Sequence, residues 1–149
     1  MNKERSLDPK IVLQSAGYRA TPGRIKLLEL LAKVDKPLTV AQIQAKLGSK
    51  KLDEATLYRA LEALAASGVI KRVDLGHAHA HYEFEKTHHH HIVCSNCNTV
   101  EDVNHAAVEK ELQKMLGGSN QFSVKSIYSH NLEFFGLCNQ CSKKIESEK

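Results

Sequence analysis

The four cysteines of the chain form two CxxC pairs, Cys94 with Cys97 and Cys138 with Cys141, and these pairs constrain the fold more than any other feature. A CxxC turn brings two sulfur atoms within reach of one small ion, and two such turns complete the tetrahedral thiolate shell that Zn²⁺ prefers. Four ligands close that shell, so we interpret the cysteines as a structural zinc site. A two-disulfide framework in an exported protein and redox switching by one CxxC pair are the alternatives.

A block of four histidines, His88 to His91, directly precedes the first cysteine pair. Successive residues of a strand face opposite sides of a sheet, so His88 and His90 would share one side and His89 and His91 the other. One block can therefore supply two sites, and mixed histidine and carboxylate sites suit Zn²⁺, Fe²⁺ or Mn²⁺. The residues available to complete them are Glu83, Asp102, Glu109 and His130, with the loop histidines His77, His79 and His81 nearby. A solvent-exposed polar run or a tag-like artefact is the alternative.

Charge is distributed unevenly along the 149 residues. Residues 1–81 carry 14 Lys/Arg against 8 Asp/Glu, whereas residues 82–149 carry 7 against 9. A basic first part and a slightly acidic second part indicate two different tasks. The sequence shows no secretory signal and no apolar run near the roughly 20 residues that cross a bilayer, so we expect a cytoplasmic, metal-binding protein.

The basic part has the pattern of four helices followed by a β-hairpin. The predicted helices span residues 8–17, 21–34, 39–48 and 53–68, each with a capping residue at its start, and the predicted strands span 69–74 and 81–85. This is the order of a winged helix-turn-helix, in which the fourth helix recognises DNA and the hairpin is the wing. The exposed face of that helix would carry Thr56, Tyr58, Arg59 and Glu62. A helical scaffold without DNA binding is the alternative, with Tyr58 then a partly buried core residue.

The remaining part has the pattern of a small α/β unit. We predict short strands at residues 92–93 and 99–103, a helix at 105–116, a long strand at 122–135, and a frayed charged tail at 142–149. A unit of this size would gain stability by pairing with a second copy, so we expect a homodimer. The expected domains are residues 1–84, which bind DNA, and residues 85–149, which bind metal and dimerise.

Four segments together resemble the ferric uptake regulator family of bacterial metal-responsive repressors. They are residues 19–24 (RATPGR), 55–61 (ATLYRAL), 88–97 (HHHHIVCSNC) and 136–141 (GLCNQC), and the resemblance extends over about residues 13–141. It implies an α+β chain with an N-terminal winged helix and a C-terminal α/β dimerisation domain. It also implies metal-dependent binding of a dimer to palindromic double-stranded DNA operators.

Taken one residue at a time, the resemblance implies three metal sites and a DNA-binding surface. The structural zinc ligands match Cys94, Cys97, Cys138 and Cys141. The regulatory site at the hinge, for Fe²⁺ or Zn²⁺ with Mn²⁺ as a third candidate, matches Glu83, His89, His91 and Asp102. The further site inside the dimerisation domain matches His88, His90, Glu109 and His130. The DNA contacts match Tyr58 and Arg59, beside Thr56, and Arg19, which reaches the minor groove.

The sequence also departs from the family pattern. Many members supply a hinge-site histidine before the third helix, but residues 35–39 (DKPLT) contain none. We hypothesise that His77, His79 or His81 replaces it from the wing. The recognition motif contains Leu57 where Val is commoner, and Asn98 stands where Gly is usual after the first CxxC pair, a position that Asn also tolerates.

Other functions are compatible with parts of this pattern. A metal with an open coordination position could activate water in a hydrolase. However, the sequence lacks a nucleophile elbow, a phosphate loop and an HExxH motif, and such an enzyme would leave the DNA-binding part unexplained. Metal buffering without DNA binding is a third reading. Within the family, the sensed species could be iron, zinc or, through histidine oxidation, peroxide.

Overall fold

The computed structural model describes residues 8–50, 52–76, 78–103, 105–119, 121–123 and 130–147. Contacts divide the chain into two compact units, Met1–Thr87 and His88–Lys149. The division falls after Thr87, whereas the sequence predicts it after residue 84. Both units combine helices with a three-stranded sheet, so the predicted α+β class is confirmed.

In its described residues the first unit contains four α-helices, as predicted. They are α1 Pro9–Ser15, α2 Pro22–Lys33, α3 Val40–Leu47 and α4 Glu54–Ala66, with a 3₁₀ turn at Gly48–Lys50. Each helix begins where a side chain accepts hydrogen bonds from the free N–H groups of the first turn, and the four capping residues are Asp8, Thr21, Thr39 and Asp53. Thr39 and Gln42 cap each other reciprocally. The hydrogen bond from Thr56 lowers the pKa of Asp53.

The sheet of the first unit has three short antiparallel strands in the order β1–β3–β2. They are β1 Leu38–Thr39, β2 Lys71–Val73 and β3 His81–Glu83. The hairpin of β2 and β3 was predicted, but β1 was not, because two residues are too few to show a period. Strand β3 lies in the middle, and its three residues are all buried.

One apolar core holds the first unit together. Leu27, Leu28 and Leu31 of α2 pack with Leu57 and the rest of a buried cluster drawn from α1, α3, α4 and the strands. Leu57, Leu61 and Leu64 recur along the buried side of α4 and are fully buried. Because this stripe faces the core, the opposite side of α4 remains available for other contacts.

The described residues of the second unit form a three-stranded sheet and two helices. Its elements are β4 His90–Cys94, β5 Val100–Val103, α5 His105–Leu116, β6 Glu133–Gly136 and α6 Asn139–Ser147. Strand β4 is central, antiparallel to β5 and parallel to β6. The sheet therefore places both CxxC segments at the same end, because Cys94 and Gly136 pair as the last residues of the parallel strands.

Two sequence predictions for this unit are wrong. The long strand predicted at residues 122–135 is formed only in part: of its described residues, 122, 123 and 130–132 are not strand, whereas 133–135 belong to β6, Glu133–Gly136. Residues 124–129 lie outside the described part of the chain. Strand β6 pairs with four residues of β4, His91 to Cys94. The tail expected to fray from residue 142 is helical to Ser147, because α6 begins at the second CxxC segment and Cys141 is buried in its first turn.

None of the described helices has both the length and the apolar character that a membrane span requires.

Candidate metal centres and nucleic-acid interface

The four cysteines converge at the end of the second unit's sheet. Their sulfur atoms all lie within 4.8 Å of one another, and Cys97 Sγ lies 3.8 Å from Cys138 Sγ. A tetrahedron with Zn–S bonds of about 2.3 Å has edges of about 3.8 Å, so the donor set and spacing fit a zinc ion. None of the four cysteines forms a disulfide. The turn after Cys97 uses Asn98 at φ 63°, the left-handed conformation expected at this position.

Neighbouring groups favour the thiolate form at part of this cluster. Cys94 Sγ accepts a hydrogen bond from the backbone N–H of Cys138 at 3.3 Å, and this bond is the main cause that lowers the pKa of Cys94 to about 6. A side-chain hydrogen bond from Thr99 lowers the pKa of Cys97. The hydrogen bond that Asn96 donates to Cys141 Sγ favours the thiolate, but the neighbouring thiols, Cys138 first, and burial outweigh it and raise the pKa of Cys141 to about 11. A bound divalent cation would favour the thiolate form of all four cysteines, because metal-coordinated thiols are deprotonated.

His88 and His90 face the same side of the sheet, as strand alternation predicts, and meet Glu109 of helix α5 and His130. Glu109 Oε1 lies 3.0 Å from His88 Nε2, 3.1 Å from His90 Nε2 and 3.0 Å from His130 Nε2. His130 Nε2 lies 3.2 Å from His88 Nε2 and 3.5 Å from His90 Nε2. With metal–nitrogen bonds of about 2.0–2.1 Å, a tetrahedral shell would have edges of about 3.4 Å, so these four atoms fit one ion. We call these four residues the inner cluster.

The electrostatics of the inner cluster favour a cation at its centre. Burial lowers the pKa of His90, so its neutral, ligating form predominates near neutral pH. Burial opposes ionisation of Glu109, but hydrogen bonding to His90 and the charges of the other histidines outweigh it and lower the Glu109 pKa. Three imidazole nitrogens directed at one carboxylate oxygen cannot all donate to it optimally, whereas a divalent cation would accept all four lone pairs.

The other two histidines of the block form a second cluster on the opposite side of strand β4. His89 Nε2 and His91 Nε2 lie 3.1 Å apart, and His91 is fully buried. The register pairs His91 with Asp102 of β5, whose Oδ1 lies 3.8 Å from His91 Nε2. The structure therefore brings together the three members of the predicted regulatory site that belong to the second unit.

The remaining candidate ligands belong to the first unit. Glu83 is the last residue of β3 and is buried, with 5% of its surface exposed. His81 begins the same strand and is also buried, whereas His79 is exposed in the preceding turn. His77 lies outside the described residues.

The candidate DNA-binding surface lies on the exposed side of helix α4. Tyr58 is 45% exposed, and Arg59 and Glu62 are also exposed, whereas Thr56 is half-buried. The alternative placement of Tyr58 in the core is therefore wrong. Arg19 is exposed before helix α2, and its backbone carbonyl accepts a hydrogen bond from Arg24 at 3.2 Å. An exposed Arg with an adjacent Tyr can contact phosphates and base edges.

Two residues that support the cysteine cluster were not predicted from the sequence. Asn96 donates to Cys141 Sγ at 3.2 Å, and Thr99 lies 3.2 Å from Cys97 Sγ. Both lie in or next to the first CxxC turn, so a search for polar residues beside each ligand pair would have found them.

Comparison with known proteins identifies the family. The model of the ferric uptake regulator family matches residues 15–135. The chain is 31% identical to the peroxide operon regulator of Bacillus subtilis (strain 168) over 134 residues, covering 89% of this chain and 90% of the relative. It is 27% identical over 139 residues to the ferric uptake regulation protein of the same organism, covering 89% and 91%. It also resembles the structure of the ferric uptake regulator from Francisella tularensis with iron, with a TM-score of 0.69, 25% identity and coverage of 85% and 96%.

The sequence similarity covers most of both chains, and the structural similarity extends over both units. The chain therefore belongs to the ferric uptake regulator family, whose members are metal-responsive transcription regulators rather than enzymes.

Proposed function

We propose that this chain is a metal-dependent repressor that binds palindromic operators as a homodimer when Fe²⁺ or Zn²⁺ occupies a hinge site. The site would consist of Glu83 from the first unit and His89, His91 and Asp102 from the second, and Mn²⁺ is a third candidate ion. The observation that carries this proposal is the imidazole pair of half-buried His89 and buried His91, whose Nε2 atoms lie 3.1 Å apart. Two imidazole nitrogens at this separation suit a shared transition-metal ion.

The three metal centres would have different roles. The cysteine cluster would hold Zn²⁺ permanently and stabilise the second unit, because structural zinc contributes folding free energy. The inner cluster would hold a further ion within the same unit. The hinge site alone would join ligands from both units, so its ion would restrict the positions that the DNA-binding units adopt. Without it, only a fraction of molecules would be competent, and the apparent DNA affinity would fall by that fraction.

Exposed apolar side chains on the second unit support a homodimer. Ile92, Phe134, Phe135 and Leu137 are 42%, 36%, 54% and 48% exposed, and Ile92 pairs with Phe134 across the two parallel strands. Ile92 and Phe134 lie side by side on one face of the sheet, and exposed apolar side chains grouped in this way are costly in water and typical of an interface. A second copy would cover these side chains, and each recognition helix of the dimer would contact one half of a palindrome.

Replacing Arg59 with Ala should weaken operator binding by a factor of about 5 to 150, corresponding to the loss of one base or phosphate contact. The measurement is fluorescence anisotropy of a labelled duplex selected from a random pool by the metal-loaded wild-type protein. If Arg59 contacts a phosphate, Arg59→Ala should also reduce the slope of log affinity against log salt concentration by about one. If Arg59 contacts a guanine, the variant should relax the sequence preference at one position. Lys33→Ala, which removes an exposed positive charge from helix α2, is the matched control. Equal affinities of Arg59→Ala and wild type would contradict the assignment of helix α4.

The wing histidines give a separate prediction. Replacing His77, His79 and His81 together with Ala should weaken metal binding at the hinge site, because the chain lacks the histidine that many family members supply before the third helix. Isothermal titration with Mn²⁺ into zinc-loaded protein measures this affinity. An unchanged affinity would exclude the wing as the source of a ligand.

Peroxide sensing is a second candidate function, favoured by the 31% identity to a peroxide operon regulator. Fe²⁺ can reduce H₂O₂ by one electron, whereas Zn²⁺ cannot, so iron-loaded protein alone should be sensitive. Loss of operator binding after H₂O₂, together with a mass increase of one oxygen atom on a peptide that contains His89 or His91, would favour this function. Retention of binding would favour metal sensing.

A further inference from the structure

Glu62 is an acidic residue on the side of helix α4 that we propose contacts DNA. A carboxylate directed at phosphates would weaken binding by like-charge repulsion. The structure directs it elsewhere: Glu62 Oε1 accepts a hydrogen bond of 2.5 Å from the hydroxyl of Tyr82, and Arg72 Nη1 lies 3.5 Å from the same oxygen. The side chain of Glu62 is 52% exposed, so solvent screens the pair with Arg72 and the hydrogen bond from Tyr82 is the stronger contact.

Tyr82 is suited to fix the position of this carboxylate. It is the middle residue of the central strand β3 and is 1% exposed. Its register partner on β2 is Arg72, and residues directly opposite each other project from the same face of a sheet. The Tyr82 hydroxyl is the donor of this hydrogen bond, because an ionised carboxylate can only accept.

The residue after Tyr82 on the same strand is Glu83, the proposed metal ligand of the first unit. Adjacent residues of a strand face opposite sides, so β3 presents Tyr82 to helix α4 on one side and Glu83 on the other. A change in the position of β3 that accompanies metal ligation would therefore move Tyr82 and, through their hydrogen bond, change the position of Glu62. Among the described contacts, this hydrogen bond joins the polar side of α4 to the strand that carries Glu83.

We propose that Tyr82 and Glu62 form a positioning link that couples strand β3, and with it the metal ligand Glu83, to the recognition helix. The inference rests on the proposed function, because it assumes that Glu83 binds the regulatory ion and that α4 contacts DNA. Neither residue of the link needs to touch metal or DNA. Arg72 assists by offsetting the charge of Glu62.

The link is tested by the ratio of operator affinities with and without added Mn²⁺, measured on protein that retains zinc at its cysteine site. The wild-type ratio should lie between about 5 and 150, the usual range of coupling between two binding sites. Tyr82→Phe keeps the ring and removes only the hydroxyl, and it should reduce this ratio by a factor of about five. Glu62→Gln keeps an acceptor and should preserve most of the ratio, whereas Glu62→Ala should reduce it as Tyr82→Phe does.

Tyr18→Phe provides a matched control. The hydroxyl of Tyr18 donates to the backbone carbonyl of Ala63, also on helix α4, at 2.9 Å, but Tyr18 does not lie on β3. This variant should lose a comparable amount of stability in urea unfolding and keep the wild-type ratio. The double variant Tyr82→Phe/Glu62→Ala should lose no more coupling than either single variant, because both remove the same interaction.

The reciprocal measurement gives a second readout. Operator DNA must raise the Mn²⁺ affinity by the same factor by which Mn²⁺ raises the DNA affinity, so Tyr82→Phe should reduce both factors equally. A Tyr82→Phe protein with the wild-type ratio would overturn the link alone. The link would also be overturned if Tyr82→Phe lowered operator affinity equally with and without Mn²⁺. The same holds if Tyr82→Phe and Tyr18→Phe reduced the ratio equally. A wild-type ratio of one would overturn the proposed function and the link together.

Discussion

Cys97→Ser should prevent the second unit from folding. Its sulfur atom lies 3.8 Å from Cys138 Sγ, within the cluster that closes the end of the sheet and begins helix α6. Structural zinc sites bind with about 10–16 kcal/mol in small domains, and that free energy is also folding free energy. A typical domain is stable by only about 5–15 kcal/mol. The contribution of zinc is of the same size or larger, so the loss of one ligand should abolish the cooperative unfolding transition of this unit. Zinc content by mass spectrometry and thermal unfolding followed by circular dichroism measure the two effects.

The control for this variant is Ser95→Ala, in the same CxxC turn. Ser95 is exposed, and its backbone N–H, which the substitution keeps, donates to the carbonyl of Gly136 at 2.8 Å. It should retain one zinc ion at the cysteine cluster and an unchanged transition. A Cys97→Ser protein that unfolds like the wild type would contradict the structural role of the cluster.

Replacing both His89 and His91 with Ala should reduce operator affinity at saturating metal to that of the metal-free protein. The substitutions remove two imidazole ligands of the proposed hinge site, whose Nε2 atoms lie 3.1 Å apart, and leave the cysteines in place. The expected loss is a factor of about 5 to 150, the size of a typical coupling between two binding sites. Anisotropy with the selected operator and calorimetric titration with Fe²⁺, Zn²⁺ and Mn²⁺ measure the two affinities. The dimer should persist in sedimentation.

Two variants on strand β5 distinguish the proposed metal ligand Asp102 from the adjacent carboxylate Glu101, which is not a proposed ligand. Asp102 pairs with His91, whereas Glu101 pairs with Ile92, on the opposite side of β5. Asp102→Asn should weaken both metal and operator binding, and Glu101→Gln should change neither. Equal effects of these two variants would indicate a general charge effect and would count against the hinge site.

The sequence could predict how the candidate metal ligands group because these groupings follow local rules. Strand alternation correctly separated His88 and His90 from His89 and His91, and the CxxC spacing correctly grouped the cysteines. The capping residues likewise predicted where the helices of the first unit begin, and the apolar stripe predicted the buried side of helix α4. Each of these features depends on residues close together in the chain, which is why the pattern alone was sufficient.

The failures have a different origin. The two-residue strand β1 and the short strand β6 exist because a neighbouring strand offers partners, and local pattern does not reveal how many it offers. Helix α6 was missed because its charged sequence suggests a free tail, whereas Cys141 anchors its first turn. The hydrogen bond between Tyr82 and Glu62 joins residues of a strand and a helix, so it depends on how the hairpin packs against α4.

In the proposed function, metal at the hinge controls DNA binding, and a single titration is sufficient to test this control. Protein with zinc retained at its cysteine cluster is titrated with operator DNA in the absence of further metal and then with Fe²⁺, Zn²⁺ or Mn²⁺ added. We predict that at least one ion raises operator affinity by a factor of about 5 or more while the protein remains dimeric. Equal operator affinity with and without every one of these ions would contradict the account.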